Sequence, residues 1–221
     1  MEMKEKCVFV VRLGDWFPEM CRITVPLIER WSRRIGADFH IISEPKFPDW
    51  PPNYERLQIY ELGKNYNWNI NIDADYIIDP DCLDDPTLNK DPTQIYTEGG
   101  MEASYYFKAH PWFLRDGRRQ GIGDSFVVSS YLTHDIWTPL EMSYDEAASY
   151  CIRQKRQVSE LCLSLNLARY GLRFDGAIQD KSRLFHLSST VLGTPKENVL
   201  AQLHEKIKEM SLEKYIKEIG L

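Results

Sequence analysis

Two aspartates separated by one residue, Asp73 and Asp75, lie in a β-prone run from Trp68 to Ile78. In an extended segment the side chains of residues i and i+2 point to the same side, so we expect the two carboxylates to lie together. Like charges this close repel unless a cation lies between them. Mg²⁺ and Mn²⁺ prefer oxygen ligands and often share their coordination shell with phosphate groups. The pair therefore predicts a divalent-metal site, and the alternative is a strand that simply ends in a turn.

The composition indicates one globular domain and argues against several kinds of partner. The 221 residues are 43% hydrophobic, which suffices for one substantial core. The net charge of −6 argues against binding to nucleic acid or to an anionic membrane surface. Five scattered cysteines without a C-x-x-C pair indicate reduced thiols, no zinc site and a cytoplasmic location. We find no signal peptide and no transmembrane segment, and the chain could equally be one domain of a longer protein.

Hydrophobic patterning in the first part of the chain predicts a strand, a helix and a second strand. The strands are expected at Cys7–Val11 and Phe39–Ile42, and the helix runs from Glu19 to Ile35 with a kink or a break at Pro26. Such a unit implies a right-handed parallel crossover. The loop after the first strand, Arg12 to Trp16, then falls where open α/β sheets bind ligands.

The remaining pattern completes an α/β fold. A helix from about Tyr54 to Leu62 is expected to lead into the acidic run. Further strands are predicted at Gln94–Thr97, Asp124–Ser129 and Leu184–Leu187, and further helices after Ser143, Ser159 and Thr194. Residues 98 to 123 are rich in aromatic and basic side chains, which suits sugar rings, although core packing is the commoner role of an aromatic residue. We therefore expect a mixed, mostly parallel central sheet flanked by helices.

The segment Tyr54–Leu62 followed by Trp68–Asp75 resembles the GT-A-fold glycosyltransferases that use nucleotide sugars, in which a helix bearing Lys or Arg runs into a strand that ends in an Asp-x-Asp motif. A looser resemblance links the chain to the small glycosyltransferase domains that large algal viruses encode for capsid sugars. The resemblance implies one GT-A, Rossmann-like domain over residues 1–221. Its parts would be a nucleotide-binding part at about 1–97, an acceptor side at about 98–193 and a C-terminal helical segment at about 194–221.

The resemblance also implies roles for individual residues. Asp75 would ligate Mn²⁺ or Mg²⁺, and Asp73 would bind the metal or the ribose hydroxyls. His186 would be the third protein ligand, although a lone histidine is more often structural. Arg56 would reach the nucleotide sugar, since a guanidinium suits phosphate. The other residues expected around the nucleotide sugar are Val11, Arg12, Asp15, Ala74 and Lys196.

The implied activity is transfer of a sugar from a nucleoside-diphosphate sugar, with a UDP-sugar favoured, to a glycan or glycoprotein acceptor. A metal and cationic side chains would stabilise the charge that builds on the departing diphosphate. An inverting enzyme also needs a carboxylate base, for which Asp124 and Glu160 are candidates. A retaining enzyme needs none, and retention is favoured because most of the relatives are retaining. The alternatives are a nucleotidyltransferase or phosphohydrolase that uses the same acidic pair, and a non-enzymatic carbohydrate-binding module.

Overall fold

A computed structural model of the chain describes residues 3–98, 100–102, 120–152, 157–176, 183–187 and 195–220. Strands and helices alternate in the first third of the chain, as the apolar runs predict. The elements are β1 (Lys4–Val11), α1 (Pro18–Arg34), β2 (Asp38–Ile42), a 3₁₀-helix (Pro52–Gln58), α2 (Ile59–Leu62) and β3 (Tyr66–Ile72).

Short strands and most of the helices follow. The strands are β4 (Tyr76–Ile78), β5 (Gln94–Thr97), β6 (Gly100–Glu102), β7 (Gln120–Ile122), β8 (Phe126–Ser130), β9 (Arg173–Gly176) and β10 (Leu184–His186). The helices are a 3₁₀-helix (Tyr131–Trp137), α3 (Tyr144–Tyr150), α4 (Val158–Arg169), α5 (Lys196–Glu209) and α6 (Glu213–Glu218). No helix in the described ranges combines the length and the apolar character that a membrane crossing requires.

Six strands of the described ranges form the central sheet in the order β2-β1-β3-β8-β5-β9. The pairs β1/β2, β1/β3 and β5/β9 are parallel, whereas β8 runs antiparallel to both of its neighbours. The predicted mixed, mostly parallel sheet flanked by helices is thereby confirmed. Because β1 and β3 are parallel neighbours, their carboxyl ends meet at one edge of the sheet, which is the edge where α/β proteins bind ligands.

Apolar side chains cover both faces of this sheet. Val8 and Val10 of β1 pack in the same core cluster as α1, whereas Cys7 and Phe9 pack in the cluster that contains α4. Alternate residues of a strand face opposite sides, so a strand covered on both faces must be apolar throughout. This is why β1 can be recognised from the sequence alone.

Two helices differ in detail from the prediction. Helix α1 continues through Pro26 as one helix. A proline inside a helix costs about 3 kcal/mol, and burial of Ile23, Leu27 and Trp31 on the same helix offsets that cost. The helix expected at Tyr54–Leu62 begins earlier, at Pro52, and most of it is a 3₁₀-helix, a form that is common at helix N-termini.

The acidic run is not one strand, which corrects the prediction for Trp68–Ile78. β3 ends at Ile72, a turn follows, and β4 leaves the central sheet to pair antiparallel with β10. The Tyr76 N–H donates to the Asp73 carbonyl oxygen at 3.2 Å, which closes the turn, and the Asp73 N–H donates to the Ser125 carbonyl oxygen at 2.8 Å. The two carboxylates therefore project from a turn, because aspartate bonds readily to nearby backbone groups and disfavours the strand interior.

Candidate metal centre

Asp73, Asp75 and His186 form a cluster in which one ligand atom from each residue lies within 4.8 Å of the others. The turn after β3 supplies the two aspartates, and the last residue of β10 supplies the histidine, which lies opposite Tyr76 in the β4/β10 pair. The Leu187 N–H donates to the Asp75 carbonyl oxygen at 3.1 Å. Backbone pairing thus brings the histidine to the aspartates, although the two segments are far apart in the sequence. We call these three residues the metal cluster.

The donor atoms of the metal cluster fit a divalent cation. His186 Nε2 is buried and makes no hydrogen bond within the described structure, although it lies 3.2 Å from Asp75 Oδ1. A buried polar atom that makes no hydrogen bond requires an explanation, and an ion that the atom and Asp75 would both coordinate is one such explanation. Two carboxylates and one imidazole nitrogen form a set of donor atoms that suits a divalent metal ion.

Tyr76 fixes the plane of the His186 ring. The two rings stack with their centroids 4.2 Å apart and their planes 7° from parallel. The Tyr76 hydroxyl hydrogen-bonds the Glu98 carboxylate and, at 3.3 Å, the Ser125 hydroxyl. Neighbours of this kind orient a ligand histidine and strengthen the site.

Ala74 anchors the turn to the core. Its side chain is buried, and its carbonyl oxygen accepts a hydrogen bond of 2.5 Å from the Thr24 hydroxyl on α1. Because its methyl group packs inward, contact of Ala74 with a nucleotide sugar would have to be made by its backbone.

Arg56 lies beside the metal cluster, with its side chain only 3% exposed. Its Nε donates to the Asn53 carbonyl oxygen at 2.7 Å, and its Nη2 donates to Asp73 Oδ1 at 2.9 Å. Its Nη1 donates to the Asp124 carbonyl oxygen and lies 3.1 Å from Asp124 Oδ2. The structure therefore brings Arg56 to two aspartates, and its expected contact with the nucleotide sugar stays a prediction.

Asp124 is almost fully buried just before β8, so the predicted strand begins two residues later than expected. Its Oδ2 accepts a hydrogen bond from the Ser159 hydroxyl, which in turn accepts one from Asn53 Nδ2 at 2.7 Å. Asn71 Nδ2 donates to the Asp124 carbonyl oxygen at 2.8 Å. We call Arg56, Asp124 and Ser159 the closed cluster, because the chain itself supplies partners for their polar groups.

Carboxylates outnumber cationic side chains across the two clusters. Removal from water raises the pKa of Asp73 to about 7, an effect that Arg56 opposes and that Asp124 and Asp75 reinforce. A bound divalent cation would reverse this repulsion, because a metal ion is the largest local charge in such a site.

The same excess of negative charge helps to raise the pKa values of Glu160 and His186. Burial raises the pKa of Glu160, in the first turn of α4, well above its ordinary value, and the charge of Asp124 adds to that rise. Burial lowers the pKa of His186, but the carboxylates of Asp75 and Asp73 outweigh it, so the pKa is raised overall.

The other residues that the sequence predicts around a nucleotide sugar lie at the end of β1, in the loop that follows it and at the start of α5. Val11 and Arg12 are half-buried, and Asp15 is exposed. Lys196, the first residue of α5, places its Nζ 5.5 Å from the centroid of the Phe17 ring, so α5 reaches this loop.

The pKa of a buried thiol on α1, that of Cys21, depends on a charge in this loop and on a charge in the turn. Burial raises the pKa of Cys21 to about 11, the charge of Arg12 lowers it and the charge of Asp75 raises it. The loop and the turn therefore both lie within electrostatic range of the same group.

Sequence reasoning missed the residues that support the metal cluster. Tyr76 is hidden in an apolar run, and Ser159 is visible only as the start of a helix. Asn71 is the one clear signal, since an amide in a buried strand needs a hydrogen-bond partner. The aromatic and basic stretch over residues 103–119, where the sequence predicts sugar contacts, lies outside the described residues.

Comparison with known proteins gives matches among solved structures alone. No protein-family model and no curated protein matches the chain. A glycosyltransferase involved in the glycosylation of the major capsid of PBCV-1 is similar over 94% of this chain and 99% of its own, with 11% identity and a TM-score of 0.49. The predicted likeness to a viral glycosyltransferase is thus found again at the level of structure.

The catalytic domain of Drosophila beta1,4-galactosyltransferase 7, in a complex with xylobiose, is similar over 80% of this chain and 66% of its own, with 14% identity and a TM-score of 0.41. A mutant of the same enzyme, in a complex with manganese, UDP-Gal and xylobiose, covers the same shares, with 15% identity and a TM-score of 0.39. The three neighbours are glycosyltransferases. Their TM-scores are below 0.5, so the chemistry of the site rests on its own residues.

Proposed function

We propose that the chain is a metal-dependent glycosyltransferase that moves a sugar from a nucleoside-diphosphate sugar, with a UDP-sugar favoured, to a glycan or glycoprotein acceptor. The observation that carries this proposal is the metal cluster, in which donor atoms of Asp73, Asp75 and His186 lie within 4.8 Å of one another. The cluster follows the carboxyl end of β3 and lies beside the end of β1, where α/β sheets bind nucleotides.

In this proposal Asp75 and His186 hold the cation, and Asp73 completes the protein ligands. Carboxylate oxygens suit both Mn²⁺ and Mg²⁺, whereas an imidazole nitrogen is more typical of transition metals, so the mixed set favours Mn²⁺. When bound, the cation supplies charge that stabilises the departing diphosphate. Three protein ligands leave coordination positions for the oxygens of a donor.

The loop after β1 would receive the nucleoside. The exposed carboxylate of Asp15 can accept hydrogen bonds from ribose hydroxyls, and the ammonium group of Lys196 and the guanidinium of Arg12 can contact phosphate. The position of Arg12 and Asp15 after the carboxyl end of β1 supports this assignment, as does the position of Lys196 Nζ 5.5 Å from the Phe17 ring of the same loop. Residues 1–97 would then hold the nucleotide, and residues 98–193 would face the acceptor.

Neither of the two predicted base candidates, Asp124 and Glu160, is well suited to act as a general base, and this favours retention of configuration. Asp124 already accepts a hydrogen bond from the Ser159 hydroxyl and pairs with Arg56. Burial raises the pKa of Glu160, so this residue tends to hold its proton. A general base must be deprotonated and within reach of the acceptor hydroxyl. Retaining transfer needs no such base, and it therefore suits the site better.

A thermal-shift screen with UDP-, GDP-, CDP- and dTDP-sugars, each with Mn²⁺ and with EDTA, tests the proposal. A donor at about 100 times its Kd adds about 2.7 kcal/mol, which for a domain of this size raises Tm by roughly 5–10 °C. We expect that rise with Mn²⁺ and at least one donor, and its loss in EDTA and in Asp75→Asn. Asp38→Asn, in an exposed pair with Lys4, is the control.

The other outcomes distinguish the alternatives. Absence of any nucleotide effect with Mn²⁺ present would contradict the proposal. Stabilisation by glycans in EDTA would indicate a carbohydrate-binding module. Metal-dependent release of phosphate without sugar transfer would indicate a phosphohydrolase, and transfer of the nucleotidyl group would indicate a nucleotidyltransferase.

A further inference from the structure

We infer that Arg56 and Asp124 are positioning residues, which hold the Asp73 carboxylate for the metal and contact neither the donor nor the acceptor. The inference rests on the proposed metal site and extends it, because it assigns roles that differ from the phosphate contact and the general base expected from the sequence. It follows from how the N–H groups of Arg56 and the oxygens of Asp124 are used.

The Arg56 guanidinium has little left to offer a phosphate. A guanidinium carries five N–H groups. Each of the three nitrogen atoms of Arg56 already donates a hydrogen bond, to the carbonyl oxygens of Asn53 and Asp124 and to Asp73 Oδ1, and Nη1 also lies 3.1 Å from Asp124 Oδ2. A bidentate phosphate contact needs two parallel N–H groups on an accessible edge. With its side chain 3% exposed, Arg56 does not present such an edge.

One carboxylate oxygen of Asp124, Oδ2, is similarly occupied. This Oδ2 accepts a hydrogen bond from the Ser159 hydroxyl and lies 3.1 Å from Arg56 Nη1. The backbone carbonyl oxygen of Asp124 accepts a hydrogen bond from Asn71 Nδ2. A general base must have a lone pair within hydrogen-bond reach of the acceptor hydroxyl. Asp124 is 7% exposed, and its charge is paired with Arg56, so its carboxylate serves as the counter-ion of that arginine.

The two residues act as a unit because of charge balance. If Asp73 were the sole partner of the buried Arg56, the ion pair would neutralise the charge that a metal needs. Asp124 gives Arg56 a second negative partner, so Asp73 is held through Oδ1 and keeps its other oxygen for a cation. The hydrogen bond from Asn53 to Ser159 ties the 3₁₀-helix at Pro52–Gln58 to α4 and fixes both ends of this arrangement.

Mn²⁺ titration followed by electron paramagnetic resonance, together with UDP binding at saturating Mn²⁺, tests the assignment. We expect Asp124→Asn and Arg56→Lys to weaken Mn²⁺ binding about 10- to 100-fold, as loss of supporting contacts does at other metal sites. Lysine cannot replace a fork that bonds three groups at once. We expect UDP affinity to recover to within about threefold of the wild type once Mn²⁺ saturates the site, because neither side chain touches the nucleotide.

Matched controls are Asp38→Asn and Arg169→Lys, which change the same residue types in exposed ion pairs, and Tm in EDTA monitors folding. Should either cluster variant fail to fold, Ser159→Ala removes only the hydroxyl that bonds Asp124, and it should still weaken Mn²⁺ binding measurably.

Three results would overturn the assignment, and they separate it from the function itself. Unchanged Mn²⁺ affinity in the folded variants would show that they do not position Asp73. UDP affinity that stays low in Arg56→Lys at saturating Mn²⁺ would show that Arg56 contacts the nucleotide. Wild-type protein that binds no Mn²⁺ would remove the proposed function as well, whereas wild-type binding with normal variants would remove only the positioning role.

Discussion

The metal cluster and the closed cluster lie side by side, each contains a carboxylate that faces a basic side chain, and they differ in what balances their charge. In the closed cluster Arg56 pairs with Asp124, and the Ser159 hydroxyl bonds the same carboxylate. In the metal cluster Asp75 faces a histidine nitrogen that makes no hydrogen bond in the described structure. Acidic residues mark a ligand site where the chain supplies too few cations of its own, and they mark internal structure where it supplies enough.

Asp75→Asn is the substitution expected to have the largest effect on the metal cluster. We expect Mn²⁺ binding to be lost and transfer to fall on the order of 100-fold or more, because a ligand charge is removed where charge develops in the reaction. Stability in EDTA should not fall, since the change relieves repulsion between carboxylates. Isothermal titration with Mn²⁺ and a sugar-transfer assay measure these effects. Wild-type Mn²⁺ affinity in the variant would sink the assignment of Asp75 as a ligand.

His186→Ala should have an intermediate effect. Loss of one of three ligands is expected to weaken Mn²⁺ binding at least as much as loss of a supporting contact does, on the order of 100-fold, while Asp73 and Asp75 still hold the ion. Mn²⁺ titration at pH 7.5 measures the change, and His204→Ala, at an exposed position of α5, is the matched control. If both variants bind Mn²⁺ as the wild type does, His186 is a structural residue stacked on Tyr76.

Glu160→Gln should have the smallest effect, and that effect should depend on pH. Burial raises the pKa of Glu160 in the folded chain, so its contribution to stability is present below the unfolded pKa of about 4.3 and is lost as pH rises through the folded pKa. The free energy of unfolding of the variant should therefore match the wild type near pH 4 and exceed it at pH 8. Urea unfolding in EDTA at both pH values measures this, and a difference that is independent of pH would contradict the expectation.

The sequence predicted the sheet better than the site. The strands and helices follow from residues close together in the sequence, whereas the site depends on contacts between residues far apart in it. β1, α1 and β2 follow from apolar periodicity within a few residues, and that periodicity reports burial directly. The turn at Asp73–Asp75 remained only an alternative in the sequence, since a strand and a turn with the same apolar flanks differ only in hydrogen bonds to distant residues such as Ser125. Asp73 and Asp75 could nevertheless be named, because their spacing is local.

The contacts of the candidate residues were beyond any local pattern. Arg56 meets Asp124, and Ser159 meets the same carboxylate, across long stretches of chain. Those pairings depend on the packing of α4 against the 3₁₀-helix at Pro52–Gln58, which composition does not encode. His186 was found by resemblance, and its stacking on Tyr76 required the pairing of β4 with β10.

The pairing of β4 with β10 also has a consequence for when the proposed metal site can form during synthesis. Roughly 110 residues separate Asp75 from His186, and a metal held by both would close that whole loop. The nascent chain can fold β1 to β3 early, as domains generally begin to fold from their N-terminal side. It cannot complete the three-ligand cluster until His186 has left the ribosome and paired with Tyr76. Binding of the metal by all three ligands would therefore occur late in folding, after β10 has paired with β4.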